Sequence, residues 1–128
     1  MDLKLDGKTA LITGASMGIG EHIARTLANE GVHLHLTARS EDKLEILKAQ
    51  ITESSNISVT LHPLDLTSKG ASERLAQITD NIDILVNNAG AIPSGDLFDV
   101  DETAWRAGFD LKVFGYINMC RQFYRKMK

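Results

Sequence analysis

The sequence is poor in cysteine and proline and has no long apolar run. Its single cysteine, Cys120, can form no internal disulfide and cannot by itself make a thiolate metal cage, which fits a reducing compartment and makes the cytoplasm the expected location. No window approaches the roughly 18 apolar residues of a membrane span, and the stretch from Met1 to Lys8, with closely spaced charges, lacks the apolar core of a signal peptide. Neither insertion nor export is expected. Basic blocks are also missing, apart from a short run at the C-terminal end: 14 Lys plus Arg stand against 17 Asp plus Glu, for a net charge of -3. That balance argues against nucleic acid or an anionic membrane surface as the main partner. In 128 residues, 43% of them hydrophobic, there is material for one core but no room for separate cofactor and substrate domains.

What is present is a repeated alternation of short apolar runs and helical patterns. Thr9 to Ile12 reads as a buried strand entering a glycine-containing turn, Thr13-Gly14-Ala15-Ser16-Met17-Gly18-Ile19-Gly20. A helix should follow, with Ile19, Ile23 and Leu27 on one stripe and Gly31 as its left-handed stop. Val32 to Thr37 reads as a second strand. Ser40 then caps a helix with Glu41 and Asp42 in its first turn and Leu44, Leu47 and Ile51 buried. Ile57 to Leu64 is the third strand, and Thr67 through Ile78 a helical stretch anchored by Leu75 and Ile78. Asp83 to Val86 is the fourth strand, ended by Asn87-Asn88-Ala89-Gly90. No proline follows Pro93, so Asp101 to Lys128 is expected to be one long helix.

Uninterrupted apolar strands separated by helices indicate a parallel sheet covered on both faces. The expected fold is a doubly wound, Rossmann-like α/β domain over residues 1–128, with strand order 3-2-1-4, incomplete against the usual six strands of that fold. On the last helix, Trp105, Phe109, Val113, Tyr116, Cys120, Phe123 and Met127 form one apolar line, widened by Leu111, Phe114 and Ile117. That breadth fits either packing on the sheet or contact with a second subunit, and a homo-oligomer through this helix is expected.

A glycine-rich turn between strand and helix directs backbone N–H groups and the positive helix end at a pyrophosphate. Gly14 allows the tight turn, Gly18 lets the backbone approach the phosphates, and Gly20 permits close helix-to-strand contact. About 20 residues after such a turn, a carboxylate binds the ribose of NAD, whereas an Arg accommodates the 2'-phosphate of NADP. Ala38 and Arg39 occupy that place. The planar fork of Arg39 suits a phosphate, so NADP is the expected cofactor.

Other chemistry is thin. His33 and His35 point to one strand face without a further ligand, so they are read as structural and no metal is expected. His22 and His62 stand isolated. Cys120 reads as core rather than nucleophile.

Taken together, Thr13-Gly14-x-x-x-Gly18-x-Gly20, Asp65 after the third strand and Asn87-Asn88-Ala89-Gly90 after the fourth resemble the short-chain dehydrogenase/reductase family, with the likeness spanning essentially the whole chain. The resemblance implies hydride transfer between a nicotinamide cofactor and a small-molecule alcohol or carbonyl. It implies that Ser16 and Ile19 lie against the cofactor phosphates, that Asp65 bonds the adenine amino group with Leu66 beside it, and that Asn87, Ala89 and Gly90 line the ribose region. It also places Lys112 where the family has an Asn that holds a water of the proton relay, so Lys112 is the expected catalytic participant. The family's Ser and Tyr-x-x-x-Lys belong to a region after a fifth strand, which these residues do not include. A literal match, Tyr124 to Lys128, falls inside the last helix and is read as chance, with the Tyr124 ring on the apolar face. The expectation is the cofactor-binding half of an NADP-dependent oxidoreductase, inactive by itself. The alternative is a dinucleotide-binding or interaction module without redox chemistry.

Overall fold

A computed structural model describes residues 1–127; Lys128, the end of the expected helix and of the Tyr124 to Lys128 match, lies outside the described residues. Four strands, β1 (Thr9–Thr13), β2 (His33–Ala38), β3 (Val59–Pro63) and β4 (Ile84–Val86), form one sheet in the order β3-β2-β1-β4. Every pairing is parallel. This is the doubly wound arrangement that the alternation of elements predicts, because parallel neighbours need a crossover between them and the crossovers cover both faces. Pro63, which has no N–H to give, is tolerated because β3 is an edge strand.

The two faces bury separate cores. On one, Ala10, Ile12, Leu34 and Leu36 of the sheet meet Ala24 and Ala28 of α1 (Gly18–Asn29) and Leu44, Leu47 and Ile51 of α2 (Glu41–Ser54). On the other, Leu11 meets Leu75 of α3 (Ala71–Ile78) with Met119 and Phe123 of α5 (Gly115–Lys126). The Ser40 side chain accepts from the Lys43 N–H at the start of α2, and Gly31, at φ +77°, stops α1 as expected.

Three expectations about α1 and α3 are corrected. In α1 the side buried against the sheet is Gly20, Ala24 and Ala28, and Ile19 is 73% exposed, because the close approach of helix to strand leaves room only for small residues. The helix expected from Thr67 begins at Ala71: the Asp65 carboxylate takes both the Thr67 N–H and its hydroxyl, holding a turn there. Ile78 at its end is exposed and Leu75 alone of the two anchors is buried.

The last segment is helical without interruption from Glu102 to Lys126, but it is not one α-helix. Between α4 (Glu102–Phe109) and α5, residues Asp110–Phe114 form a π-helical stretch, with the Gly115 N–H reaching back five residues to the Asp110 carbonyl. The apolar line read from a uniform period therefore breaks. Met119 and Phe123 are buried, while Trp105, Phe109, Phe114 and Ile117 are exposed and so is Cys120, which does not belong to the core. Tyr124 is exposed as well. Lys126 reaches across to α3 and donates to the carbonyls of Ala76 and Thr79. Among the described residues no helix is long and apolar enough to cross a membrane.

Candidate cofactor cleft

All four strands end at one cleft of about 1140 Å³. Its walls come from the turn after β1, the end of β2 with the start of α2, the segment after β3, the loop after β4, and the inner side of α4 and the π-helical stretch. This is the crevice outside the carboxyl ends of the strands, where the connections part to opposite faces of the sheet.

The floor is built from β1 and the β4 loop. The Thr13 hydroxyl accepts from the N–H groups of Asn88 and Ala89, each at 2.9 Å, and donates to the Val86 carbonyl at 3.3 Å. The Asn88 side-chain amide donates to the carbonyls of Thr13 at 3.2 Å and Gly14 at 3.1 Å. The glycine turn is thus anchored from behind, leaving its front open. A Cβ on Gly14 would strike Ala89 Cα at 2.8 Å, and one on Gly20 would collide with the Gly14 carbonyl, so both glycines answer to packing. Gly18 shares the left-handed region with Gly14, at φ +59° and +63°, but differs in that a Cβ there would meet nothing within 4 Å. Its requirement for glycine is therefore the positive φ and not packing.

Of the residues singled out from the sequence, Gly14, Ser16, Ile19, Arg39, Asp65, Leu66, Ala89, Gly90 and Lys112 all line the cleft. Gly18 and Gly20 belong to the first turn of α1 and do not line it. Asn87 points elsewhere: its amide donates to Cys120 Sγ on α5 at 3.2 Å, and its Oδ1 is buried with no hydrogen-bond partner among the described residues. Asp65 is held well toward its ionised form by the Thr67 hydroxyl and N–H, with the Arg39 guanidinium adding a smaller pull. Lys112, in the π-helical stretch, lays its side chain over Gly90; a Cβ there would touch Lys112 Cδ at 3.5 Å and Nζ at 3.7 Å.

Sequence reasoning missed several residues that the cleft uses. Ser40 and Lys43 stand on its wall beside Arg39, whereas their neighbours Glu41 and Asp42 do not line it. The helical period was a usable signal, since Ser40 at the N-cap and Lys43 three residues on share a face. Thr13 and Asn88 carry the floor through hydrogen bonds between chain segments about 75 residues apart, which no local pattern announces. His62, isolated in the sequence, meets His35 across the β2-β3 pair at 2.8 Å. Among the described residues no group of three or more His, Cys, Asp or Glu is placed to hold a metal ion.

The pattern of the short chain dehydrogenase family matches residues 8–128. The uncharacterized oxidoreductase YvaG of Bacillus subtilis is 34% identical over 133 aligned positions, which cover 99% of this chain and 48% of that protein. The 2,3-dihydro-2,3-dihydroxybenzoate dehydrogenase of the same organism is 32% identical, over 96% of this chain and 48% of its own length. Among solved structures, L-sorbose reductase from Gluconobacter frateurii, complexed with NADPH and L-sorbose, superposes with a TM-score of 0.91 at 30% identity, over 99% of this chain and 50% of that one. The chain spans about half the length of the relatives it matches. With the family's pattern running through nearly all of the sequence and a solved member superposing on 99% of it, the chain belongs to the short-chain dehydrogenase family of oxidoreductases.

Proposed function

We propose that this chain forms the NADP(H)-binding half of an enzyme that moves hydride between the nicotinamide and a small-molecule alcohol or carbonyl. The observation that carries the cofactor choice is the wall at the end of β2, where Arg39, Ser40 and Lys43 face the cleft and no carboxylate takes the place that would bond a ribose 2'-hydroxyl. Two cations and a hydroxyl suit a phosphate dianion. The L-sorbose reductase complexed with NADPH and an alcohol dehydrogenase from Thermococcus sibiricus complexed with 5-hydroxy-NADP, 32% identical with a TM-score of 0.86, support the same choice.

In this reading Gly14, Ser16, Gly18, Ile19 and Gly20 hold the pyrophosphate, Asp65 and Leu66 the adenine, and Asn87, Ala89 and Gly90 the ribose region, Asn87 from behind the loop. The cofactor supplies the hydride. Lys112, over Gly90 at the inner end of the cleft, donates to the water that relays the proton. The exposed apolar side of α4 and α5, with Trp105, Phe109 and Ile117, carries a homo-oligomer contact. The 128-residue chain alone binds cofactor without turnover, because no acid/base of the described residues is placed for the reacting oxygen.

Titration with NADP and NAD tests the reading. Hydrogen bonds to charged groups contribute about 1.5 to 3 kcal/mol, so Arg39→Ala should lower the preference for NADP about ten- to hundredfold and leave NAD binding nearly unchanged. Lys43→Gln should lower it by a smaller factor. Equal weakening of both cofactors by Arg39→Ala, or of neither, rules the assignment out.

A further inference from the structure

We propose that His35 and His62 are positioning residues for the adenosine half of the cleft: their mutual hydrogen bond holds the segment carrying Arg39 against the segment carrying Asp65, and acid opens it. The proposal rests on the cofactor reading above.

The two imidazoles lie on adjacent strands. Thr37 of β2 is in register with His62 of β3, and His35 is two residues back, on the same face. Nδ1 of His35 and Nε2 of His62 are 2.8 Å apart, and the rings are parallel to within 4° with centroids separated by 5.1 Å. The N···N contact and the two ring radii account for that whole separation. The rings therefore meet edge to edge in nearly one plane, a lone pair of one nitrogen facing the N–H of the other, and are not stacked face on face. One proton fits between them. With both nitrogens protonated, two N–H groups oppose each other and the bond is gone.

Position gives the bond its leverage. His62 is only 8% exposed and is followed by Pro63, Leu64 and then Asp65. β3 is an edge strand with β2 as its one partner in the sheet, and the last backbone bond between them is the Leu64 N–H to the Ala38 carbonyl at 2.9 Å, so the chains leading to Arg39 and Asp65 part just beyond the pair. The pair sits just below both walls of the cleft.

The surroundings offer nothing to compensate added charge. Burial, then the neighbouring His35, pulls His62 down to about 4, and burial also lowers His35. Asp65 is engaged with Thr67, and Glu73 of α3 with Ser72 and Gln122. His33, on the same face of β2, takes the Ser58 N–H, while β1 presents Leu11 and Thr13 in these rows. Lys69 and Arg74 near α3 are exposed, and α2 with its charges covers the opposite face.

The test is the affinity for NAD at about pH 7.5 and about pH 4, NAD being chosen because the 2'-phosphate of NADP itself titrates near pH 6. Wild-type affinity should fall about twofold between the two, as the nucleotide-free protein takes up the proton on His62 near its value of about 4. His62→Gln keeps an amide donor toward His35 but cannot take up a proton. It should bind within about twofold of wild type at the higher pH and lose the pH response. In parallel, amide exchange of residues 59–64 in the nucleotide-free protein, corrected for intrinsic rates, should speed up in acid in wild type and not in His62→Gln. A wild-type pH response retained by His62→Gln, or exchange that is the same in both proteins, overturns the proposal. Failure of the wild type to bind NAD or NADP at either pH would instead refute the cofactor reading, and the exchange comparison would still decide the role of the pair.

Discussion

The Asn88 side-chain amide donates to the Gly14 carbonyl at 3.1 Å, so the loop that ends β4 fixes the turn that follows β1. The same amide reaches the Thr13 carbonyl, and both bonds are only partly open to water. Asn88→Ala would leave two carbonyls without their donor. It should cost about 1 to 3 kcal/mol in denaturant unfolding and weaken NADP and NAD alike, because the turn serves the pyrophosphate common to both. Selective loss of NADP alone would contradict this.

Gly20→Ala acts on the same turn from the helix side. Its Cβ would press into the Gly14 carbonyl and the Asn88 amide, both held by the floor described above. The variant should be destabilised by about 1 to 3 kcal/mol, as overpacking generally is. A double variant with Asn88→Ala should lose less than the sum, since the two share a contact.

Stability should depend on pH through His62. Its folded value of about 4 lies below the ordinary 6.5, so between the two the unfolded chain binds more protons than the folded one. The contribution is present above about pH 6.5 and is lost as pH falls toward about 4. Urea unfolding should show wild type losing stability over that window by up to about 3 kcal/mol, and His62→Gln losing clearly less. An identical slope for both would assign the acid sensitivity to other groups.

Lys126 ties the end of α3 to α5 through two carbonyls that have no helical N–H to meet them. Lys126→Met keeps the stem and removes the donor. It should cost about 1 to 2 kcal/mol and leave cofactor affinity within about twofold, because the contact is remote from the cleft. A larger effect on affinity than on stability would show that α5 transmits to the site.

Lys112→Asn, in the whole enzyme, should alter the pH profile of the rate if the ammonium acts on the proton relay; an unchanged rate and profile would remove Lys112 from the chemistry.

The glycine turn and Arg39 were legible in the sequence because each depends on local spacing, glycines at fixed offsets and a strand end, and the sheet order followed from the doubly wound fold that the alternation of elements indicates. What was not legible depends on contacts between distant segments. Ile19 lies on the apolar stripe of its helix and is exposed, since Gly20, Ala24 and Ala28 make the nearer contact. His62 looked isolated because its partner lies 27 residues away on a neighbouring strand. Asn87 and Asn88 are adjacent in the sequence, yet one supports the floor of the cleft and the other faces α5, a division set by the fold around them.

The π-helical stretch from Asp110 to Phe114 also sets the phase of everything after it. An α-helix advances about 100° per residue, whereas a turn closed by i→i+5 bonds spreads an extra residue over the same rotation, so closing this stretch to α geometry with all five residues kept would turn the whole of α5 by roughly a quarter of a circle. Met119 and Phe123 would swing away from Leu11 and Leu75, and residues now facing water would take their place against the sheet. The width of this turn is the constrained property: loss of one residue lets it close as α-helix with Met119 and Phe123 still against the sheet, so a single deletion is better absorbed here than anywhere else between Glu102 and Lys126.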